Sequence, residues 1–533
     1  MTAQGFSEIF ADPVFDIGST VPTYERVKYV HDRLGLDGPL LREPDRLRGL
    51  LELAAMVDPR LFHVLFLHHC MTVGAALDHG AGPADLEELT SGSAVGAVLM
   101  TELGHGNSIA NIRTRAVYEP DSQGFVLHSH GAEAVKFPPN VAAGGLTRLG
   151  VVGARLVVGG VDRGVALFLV RLRDAAGPRP GVTIRAQEPT SLLSLDYASV
   201  RFDHVRLPRS AWLADGATIS ATGGWHDPLD PVARTGRSTS FGRFAWGAVS
   251  VGLAAVARAG VAIALGHAQR RVASGRVIAE QPVIRYPNQQ RLLFTALAEA
   301  VGATVLARRT LEPCWRLPEA GRPSRSELRT ASLTKVMCDR LAERALSRCR
   351  AATGALGFLS VNRLIDYQGL ALAFTSAGSD NQLVSFEAAR TLLDDVAPGA
   401  PEKGPLWTRE AWLHEQLRSR ASGDGFTDEL DLAERLAEAH GTRLLFEALA
   451  ENPVDEDLHR LLELLELSAH DGWYLAAGSL TAEQVRELPD EIGRVCARLL
   501  PRVPELVAAL DVPLELTRSP LGGPDYVAAF APG

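Results

Sequence analysis

Thr101-Glu-Leu-Gly-His-Gly-Asn-Ser108 divides two textures of sequence. Upstream of it, Tyr24 to Leu34, Arg46 to Met56 and Leu61 to Ala76 repeat apolar residues at three- and four-residue spacing, the period of amphipathic helices. Downstream, Gly124-Phe-Val-Leu-His128, Leu156-Val-Val158, Val165-Ala-Leu-Phe-Leu-Val-Arg171 and Ala198 to Leu207 are short, rich in Val and Phe, and bounded by Gly, Asp or Pro, which predicts strands. The octet itself reads as a glycine-rich turn between helix and sheet. Its small and hydroxyl-bearing residues would also let a planar ligand approach the backbone.

Working outward, Asp215 to Gly236 reads as a loop leading back into helix. Phe241 to Arg271, Asn288 to Leu311, Ser324 to Cys349 and Asp380 to Asp395 are Ala/Leu/Arg-rich helical patterns of the lengths a four-helix bundle needs. Ala397-Pro-Gly-Ala-Pro-Glu-Lys-Gly-Pro405 reads as a linker, and residues 406 to 510 are helical again, with the charges of Thr427 to Leu467 as a solvated face. The expected units are a helical domain over 1–99, a β-domain over 100–215, a helical bundle over 216–396 and a C-terminal helical domain over 397–533. Ala245 to Leu265 is long enough to span a bilayer, but Arg258 and the glycines at 247, 252 and 260 interrupt it. It reads as a buried bundle helix, not a membrane span.

A chain of 533 residues at 46% hydrophobic and 22% charged predicts several packed units and excludes wholesale disorder. The net charge of −9, with no basic run, argues against a nucleic-acid partner. Only four lysines occur, so 50 of the 54 basic residues are arginine, a bias that fits a GC-rich bacterial genome. The five cysteines are scattered without a C-x-x-C pair, which suits free thiols in a reducing cytoplasm. The first residues carry acids where an export signal would be basic, so a cytoplasmic protein is expected. His63, His68 and His69 share a predicted helix with no carboxylate at helical spacing, so they read as satisfied or interfacial histidines, and no metal site is expected. Phosphate-loop, zincin, serine-elbow and dinucleotide fingerprints are all missing from the sequence.

Against that background, Thr101 to Ser108, Arg113-Thr-Arg-Ala-Val-Tyr-Glu-Pro120 and Gly124-Phe-Val-Leu127 resemble, with intact spacing, the flavin-facing segment of the acyl-CoA oxidases, a branch of the acyl-CoA dehydrogenase superfamily. Further likenesses follow in order: Asp203-His-Val-Arg-Leu-Pro-Arg209, Gln269-Arg-Arg271, Tyr286-Pro-Asn-Gln-Gln-Arg-Leu-Leu-Phe294 and Cys349-Arg-Ala-Ala-Thr-Gly-Ala-Leu-Gly-Phe358. Ala508-Ala-Leu-Asp-Val-Pro513 and Ser519-Pro-Leu-Gly522 resemble the oxidase tail. The resemblance implies an α+β, mostly α fold: an N-terminal helical domain, a central β-barrel-like domain, a four-helix bundle and an extra C-terminal helical domain. It further implies an FAD-dependent oxidoreductase that takes the α-proton of an acyl thioester to a carboxylate while the β-hydrogen leaves as hydride, with molecular oxygen as the reoxidant. By position, Thr101 and Gly106 would face the flavin and Asn140 would stand where the family has a glycine. Arg270, Gln289 and Gln290 would meet the FAD of a partner subunit in a dimer, and Gly354 and Gly357 would form the adjoining turn. A helix-end surface arginine is the other reading of Arg270.

The departures concern the base. In the family a glutamate precedes a helix ending in Ala-Arg; here the run is Ala377-Gly-Ser-Asp-Asn381 and then Phe386-Glu-Ala-Ala-Arg390, which puts Gly378 at the base position. An earlier-helix base used elsewhere in the superfamily would fall near Phe244, with no carboxylate within four residues. Asp380 is the nearest acid, either a base or a helix N-cap, and the Gly378 backbone N–H remains available as an oxyanion donor. Three expectations stand: oxidation of an acyl thioester on coenzyme A or a carrier protein in a specialised biosynthetic pathway; oxidation or oxygenation of a non-thioester metabolite without a carboxylate base; or a non-catalytic partner that heterodimerises with an active paralogue.

Overall fold

The computed structural model describes residues 3–190, 192–395, 404–421 and 425–531. Among the helices that precede the sheet, the longest are α1 (Thr23–Leu34), α2 (Pro44–Val57) and α3 (Pro59–His79). The Asp58 side chain starts α3 by accepting from the Arg60 N–H, with Pro59 as the first helical residue. The helix widens to a π-turn over Leu67–Thr72, which the sequence period does not reveal.

The β-domain contains β1 (Ala94–Leu99), β2 (Arg115–Glu119), β3 (Gly124–His128), β4 (Thr147–Val158), β5 (Val161–Asp174), β6 (Val182–Ala186), β7 (Ala198–Phe202), β8 (Val205–Leu207) and β9 (Trp212–Leu213). The main path of the sheet is β9-β5-β4-β2-β3-β8. The long β4 pairs antiparallel with β5 along one edge, and along the other it pairs parallel with β1 and then β2. Such a centrally placed strand is covered on both faces, which is why Leu149 to Ala154 reads as a continuous small and apolar run without polar alternation. β6 and β7 form a separate antiparallel pair.

Five helices then build the bundle: α4 (Gly242–Arg270), α5 (Pro287–Arg309), α6 (Arg325–Ala352), α7 (Leu364–Phe374) and α8 (Asn381–Leu392). α4, α5 and α6 pack on one another, α7 and α8 lie on α6, and α2 covers α4. α4 is buried almost all round because Ala, Gly and Val line it: a Cβ on Gly252 would stand 2.3 Å from the Phe62 ring. The stretch Pro231–Arg270 contains a window long and apolar enough to cross a membrane by length and composition, and all of that window is buried inside the protein. The helices Leu430–Glu451, Glu456–Ala469 and Ala482–Leu499 pack against α5, and the last turns of the chain around Leu521 return to α4.

Two local expectations change. The expected loop 215–236 contains a small ladder, Thr218–Ile219 with Trp225–His226, and ends in the helix Pro231–Thr239. The Asp230 side chain caps that helix and Pro231 pre-sets its first turn, a start signal hidden among Gly, Ser and Thr. The charges of 427–467 are not all solvated: His440 is buried and Glu410 lies 2.7 Å from its Nδ1. Most of the expected linker, residues 397–403, lies outside the described residues.

Candidate active site

The octet 101–108 is held from beneath by a buried ion pair. The Lys136 ammonium lies 2.9 Å from Glu102 Oε1 and 3.3 Å from the Met100 carbonyl, both charged side chains being fully buried. Glu102 also accepts the Arg113 N–H at 2.6 Å and the Thr114 N–H at 3.0 Å. Burial pushes the Glu102 carboxyl up, but the Lys136 charge and these bonds override it and hold it below its ordinary value. Burial brings Lys136 down to about 8 against the pull of Glu102. The same Lys136 strand runs beside the octet: the Phe137 N–H donates to the Thr101 carbonyl at 3.1 Å, and the chain continues through the cis Phe137–Pro138 bond to Asn140.

Asn140 is buried, with its Oδ1 3.1 Å from His63 Nε2 on α3. Its carbonyl accepts from Arg148. The His63 ring stacks on Phe374, centroid separation 5.9 Å, at the end of α7. Burial depresses the His63 imidazole to about 4, so it is neutral at physiological pH.

From Phe374 the chain enters the loop that carries the base position. A Cβ on Gly378 would meet Val249 at 3.5 Å and the Phe374 ring at 3.7 Å, ordinary contact, but Gly378 has φ +62°. Ser379 follows with φ +78°, a left-handed conformation costing roughly 1–2 kcal/mol for a residue with a Cβ. Two contacts hold it there. Trp246 Nε1 on α4 donates to Ser379 Oγ at 3.1 Å, and the Lys335 ammonium on α6 donates to the Ser379 carbonyl at 2.8 Å. Lys335 also donates to the Phe374 carbonyl and, at 2.8 Å, to Asn381 Oδ1. Asn381 Nδ2 in turn donates to Asp339 Oδ2 at 2.6 Å. Burial, opposed by the charges of Asp339 and Asp380, brings Lys335 to about 8; burial, opposed by Lys335, raises Asp339 to about 6.

Asp380 caps α8, its Oδ1 accepting from the Gln382 and Leu383 N–H groups at 3.0 and 3.3 Å. Its Oδ2 accepts from Asn107 Nδ2 at 3.3 Å, and this contact joins the loop to the octet across 273 residues of sequence. Among the described residues, the Gly378 N–H takes part in no hydrogen bond.

Thr101, Asn140, Gly378 and Asp380 therefore belong to one connected region. Gly106 stands on the open side of the octet, with nothing within 4 Å of where its Cβ would be. Arg270, Gln289, Gln290, Gly354 and Gly357 belong to another region, where α4, α5 and α6 end. Arg270 donates to the Leu521 carbonyl at 2.7 Å, and Gln290 to the Arg285 carbonyl at 3.2 Å. Gly354 has φ +63°, with Arg271 3.4 Å from its missing Cβ, and a Cβ on Gly357 would sit 2.5 Å from Thr353 Oγ1. Two buried polar atoms among these positions, Asn140 Nδ2 and Gln289 Oε1, form no hydrogen bond of normal geometry.

Sequence reading missed Glu102, Lys136, Lys335 and Asp339, which do the holding. Of the α3 histidines, expected to be satisfied or interfacial, His63 pairs with Asn140 and His68 Nδ1 accepts the Gly96 N–H, while His69 Nε2 is buried without a hydrogen bond of normal geometry. Phe244 is a core residue, packed on Gly74.

Residues 248–393 match the family model of the acyl-CoA oxidase C-alpha1 domain. This span runs from α4 to the end of α8 and includes the Gly378 loop. This part of the chain is thus similar to the C-alpha1 domain of acyl-CoA oxidases. Among curated relatives, human peroxisomal acyl-coenzyme A oxidase 3 is 27% identical over 344 residues, covering 61% of this chain and 49% of the relative. The Arabidopsis thaliana protein named putative peroxisomal acyl-coenzyme A oxidase 1.2 is 28% identical over 384 residues, covering 67% and 55%. The chain thus spans about half the length of these curated relatives. Among solved structures, acyl-CoA oxidase 1 of Yarrowia lipolytica superposes with a TM-score of 0.83 at 18% identity, over 98% of this chain and 87% of that one. Acyl-CoA oxidase-1 of Caenorhabditis elegans, solved with FAD and ATP, gives 0.83 at 18% identity, over 98% and 88%. The fold is accordingly the acyl-CoA dehydrogenase/oxidase-like one: helical domain, sheet, bundle and further helices.

Proposed function

We propose that the chain is an FAD-dependent oxidoreductase that oxidises an acyl thioester, on coenzyme A or a carrier protein, at its Cα–Cβ bond. The observation that carries this reading is the convergence of the octet and the Gly378 loop at the Asn107–Asp380 contact, with the Gly378 N–H free to donate. Family relatives supply the cofactor: FAD is bound in the Caenorhabditis elegans oxidase. The residues here fit it, since Asn140 Nδ2 and Gln289 Oε1 are buried polar atoms that a bound group would satisfy. Thr101, Gly106 and Asn140 would hold the ring end. Arg270, Gln289, Gln290 and the Gly354–Gly357 turn would hold the phosphate and adenosine end, in a dimer.

Bound FAD would supply the acceptor for the β-hydrogen as hydride. The chain's own contribution is to polarise the thioester carbonyl through the Gly378 N–H, whose direction is fixed by the Lys335 clamp on the next residue's carbonyl. Asp380 receives the α-proton on Oδ2, the oxygen that makes the single long bond to Asn107, while Oδ1 stays committed to the helix cap. With a base one methylene shorter and two residues removed from the family position, the favoured substrate is one whose α-proton is acidified by a neighbouring group. A specialised bacterial biosynthetic role follows from that preference, and five free, buried thiols support a cytoplasmic setting. Commitment of Asp380 to the cap favours a second reading, oxidation of a non-thioester metabolite that needs no carboxylate.

The test is spectroscopic. The purified chain reconstituted with FAD is mixed anaerobically with a panel of acyl-CoAs and bleaching is followed. Bleaching by one class of thioester is expected, with the rate falling at least about a hundredfold in Asp380→Asn, a change that keeps the cap because Asn caps as well as Asp. Bleaching at an unchanged rate removes Asp380 from the reaction. Flavin binding without bleaching by any thioester selects the second reading, and failure to bind FAD overturns both.

A further inference from the structure

β3 and β8 pair antiparallel, with Leu127 opposite Val205, so the residues just past that register, His128 on one side and the Asp203-His204 turn on the other, come together. The Ser129 N–H donates to the Phe202 carbonyl at 2.9 Å and the Phe202 N–H to Ser129 Oγ at 3.2 Å, fixing the two segments side by side. His204 is held at φ +48°, a left-handed conformation that turns its ring back over Asp203. Asp203 Oδ1 then lies 2.8 Å from His204 Nδ1 and 3.4 Å from His128 Nδ1. The His128 and His204 rings are 4.1 Å apart at their centroids, and the His130 ring is 4.5 Å from His128.

One ligand atom from each of His128, Asp203 and His204 lies within 4.8 Å of the other two. The His204 backbone N–H donates to His128 Nδ1 at 3.4 Å and His204 Nδ1 shares a proton with Asp203 Oδ1 at 2.8 Å, so an ion bound here would take the place of that proton. Ligands bound to zinc at roughly 2.0–2.2 Å lie about 3–3.4 Å from one another, and the Asp203–His204 and Asp203–His128 separations of 2.8 and 3.4 Å lie within a small side-chain adjustment of that range. We propose that His128, Asp203 and His204 bind one divalent transition-metal ion of the zinc class, with the exposed side open to water. Imidazole and carboxylate donors are the set that zinc and its neighbours prefer over magnesium or calcium. The bound ion pins the turn between β7 and β8 to the end of β3.

A second histidine group, His31, His68 and His69, lies between α1 and α3 with ligand atoms equally close. It is the poorer site because it offers three neutral imidazoles and no carboxylate to offset the charge of an ion. It serves as the internal control.

The experiment uses the untagged full chain, stripped with a chelator and titrated calorimetrically with zinc chloride, with cobalt(II) absorption reporting the ligand field. One equivalent per chain is expected, with a rise of several degrees in the thermal midpoint. Affinity should fall at least tenfold in Asp203→Asn and in His204→Asn, the latter chosen because Asn tolerates the left-handed backbone. His31→Ala should change nothing. No saturable binding to the wild type, binding that survives both turn variants, or binding lost in His31→Ala overturns the proposal. Thermal melts of the metal-free variants establish that they are folded.

Discussion

Two of the four lysines of the chain lie on opposite sides of the Asn107–Asp380 contact, and each holds one of the segments that meet there, by different electrostatics. Lys136 faces a carboxylate directly, and Glu102 is satisfied by three donors. Lys335 faces two carbonyls and an amide oxygen, and its nearest carboxylate, Asp339, is reached only through Asn381. The first arrangement is a closed ion pair that fixes a turn. The second leaves a buried ammonium stabilised by dipoles and a buried carboxylate whose affinity for a proton is raised to about 6. Rigidity is concentrated on the side of the octet, and adjustable charge on the side of the base position.

Breaking the closed pair should have the largest effect. Lys136→Met leaves the Glu102 carboxylate buried without its counter-charge, and a loss of about 3–5 kcal/mol is expected in chemical denaturation. Replacing both partners, with Glu102→Leu added, should recover a large part of it, because apolar side chains carry no charge to desolvate. A loss below about 1 kcal/mol in the single variant would mean that water or a neighbouring group reaches Glu102, and the contrast with Lys335 would vanish.

Lys335→Met should cost less stability and more activity. It strips the Phe374 and Ser379 carbonyls of their buried donor, at about 1–3 kcal/mol for unsatisfied groups of this kind. The left-handed Ser379 then has only its Trp246 bond to hold it, so the Gly378 N–H loses its direction. Under the proposed function, flavin reduction by substrate is expected to slow about a hundredfold, the effect of an ångström-scale displacement, while the affinity for FAD, proposed to rest on the other face, changes little. Equal losses in both quantities would make Lys335 a general packing residue.

This division of labour was only partly legible in the sequence. The strand Gly124–His128 and the helices Gly242–Arg270 and Arg325–Ala352 fall within a few residues of where periodicity predicts them, because each is long or strongly patterned. The π-turn in α3 and the ladder at 218–226 were not legible, since one extra residue in a turn or a two-residue strand leaves no period to read. Asp380 as a cap was legible, as one of its two readings. The clamp was not, because Lys335 and Gly378 are brought together by tertiary packing between α6 and the loop. A signal did exist: in a chain with 50 arginines, a retained lysine marks a place where a compact ammonium fits and a guanidinium fork does not. Lys136 and Lys335 are both such places, and Lys28, in an exposed pair with Asp32, is not. The metal-ligand group was equally hidden, His128 and His204 being 76 positions apart with only strand pairing to join them.

The smallest effect tests the sign of the contrast. The Glu102 carboxyl is held below its ordinary value in the folded protein, so its contribution to stability is present above its unfolded pKa and fades as the pH falls through the lower folded value. The Asp339 carboxyl is shifted the opposite way, from its usual 3.8 to about 6, chiefly by burial. Between those two values the folded state binds a proton that the unfolded chain has released. Stability contributed by Asp339 is therefore full below about pH 4 and declines as the pH rises to about 6, then stays level. Asp339→Asn keeps the shape and an oxygen to accept from Asn381 but cannot titrate. Urea denaturation of both proteins at several pH values between 4 and 7 should give a wild-type minus variant stability difference that falls with rising pH and flattens above about 6. A difference that rises over this range would mean that the Lys335 charge outweighs burial at Asp339, and that the two lysines hold their segments in the same way.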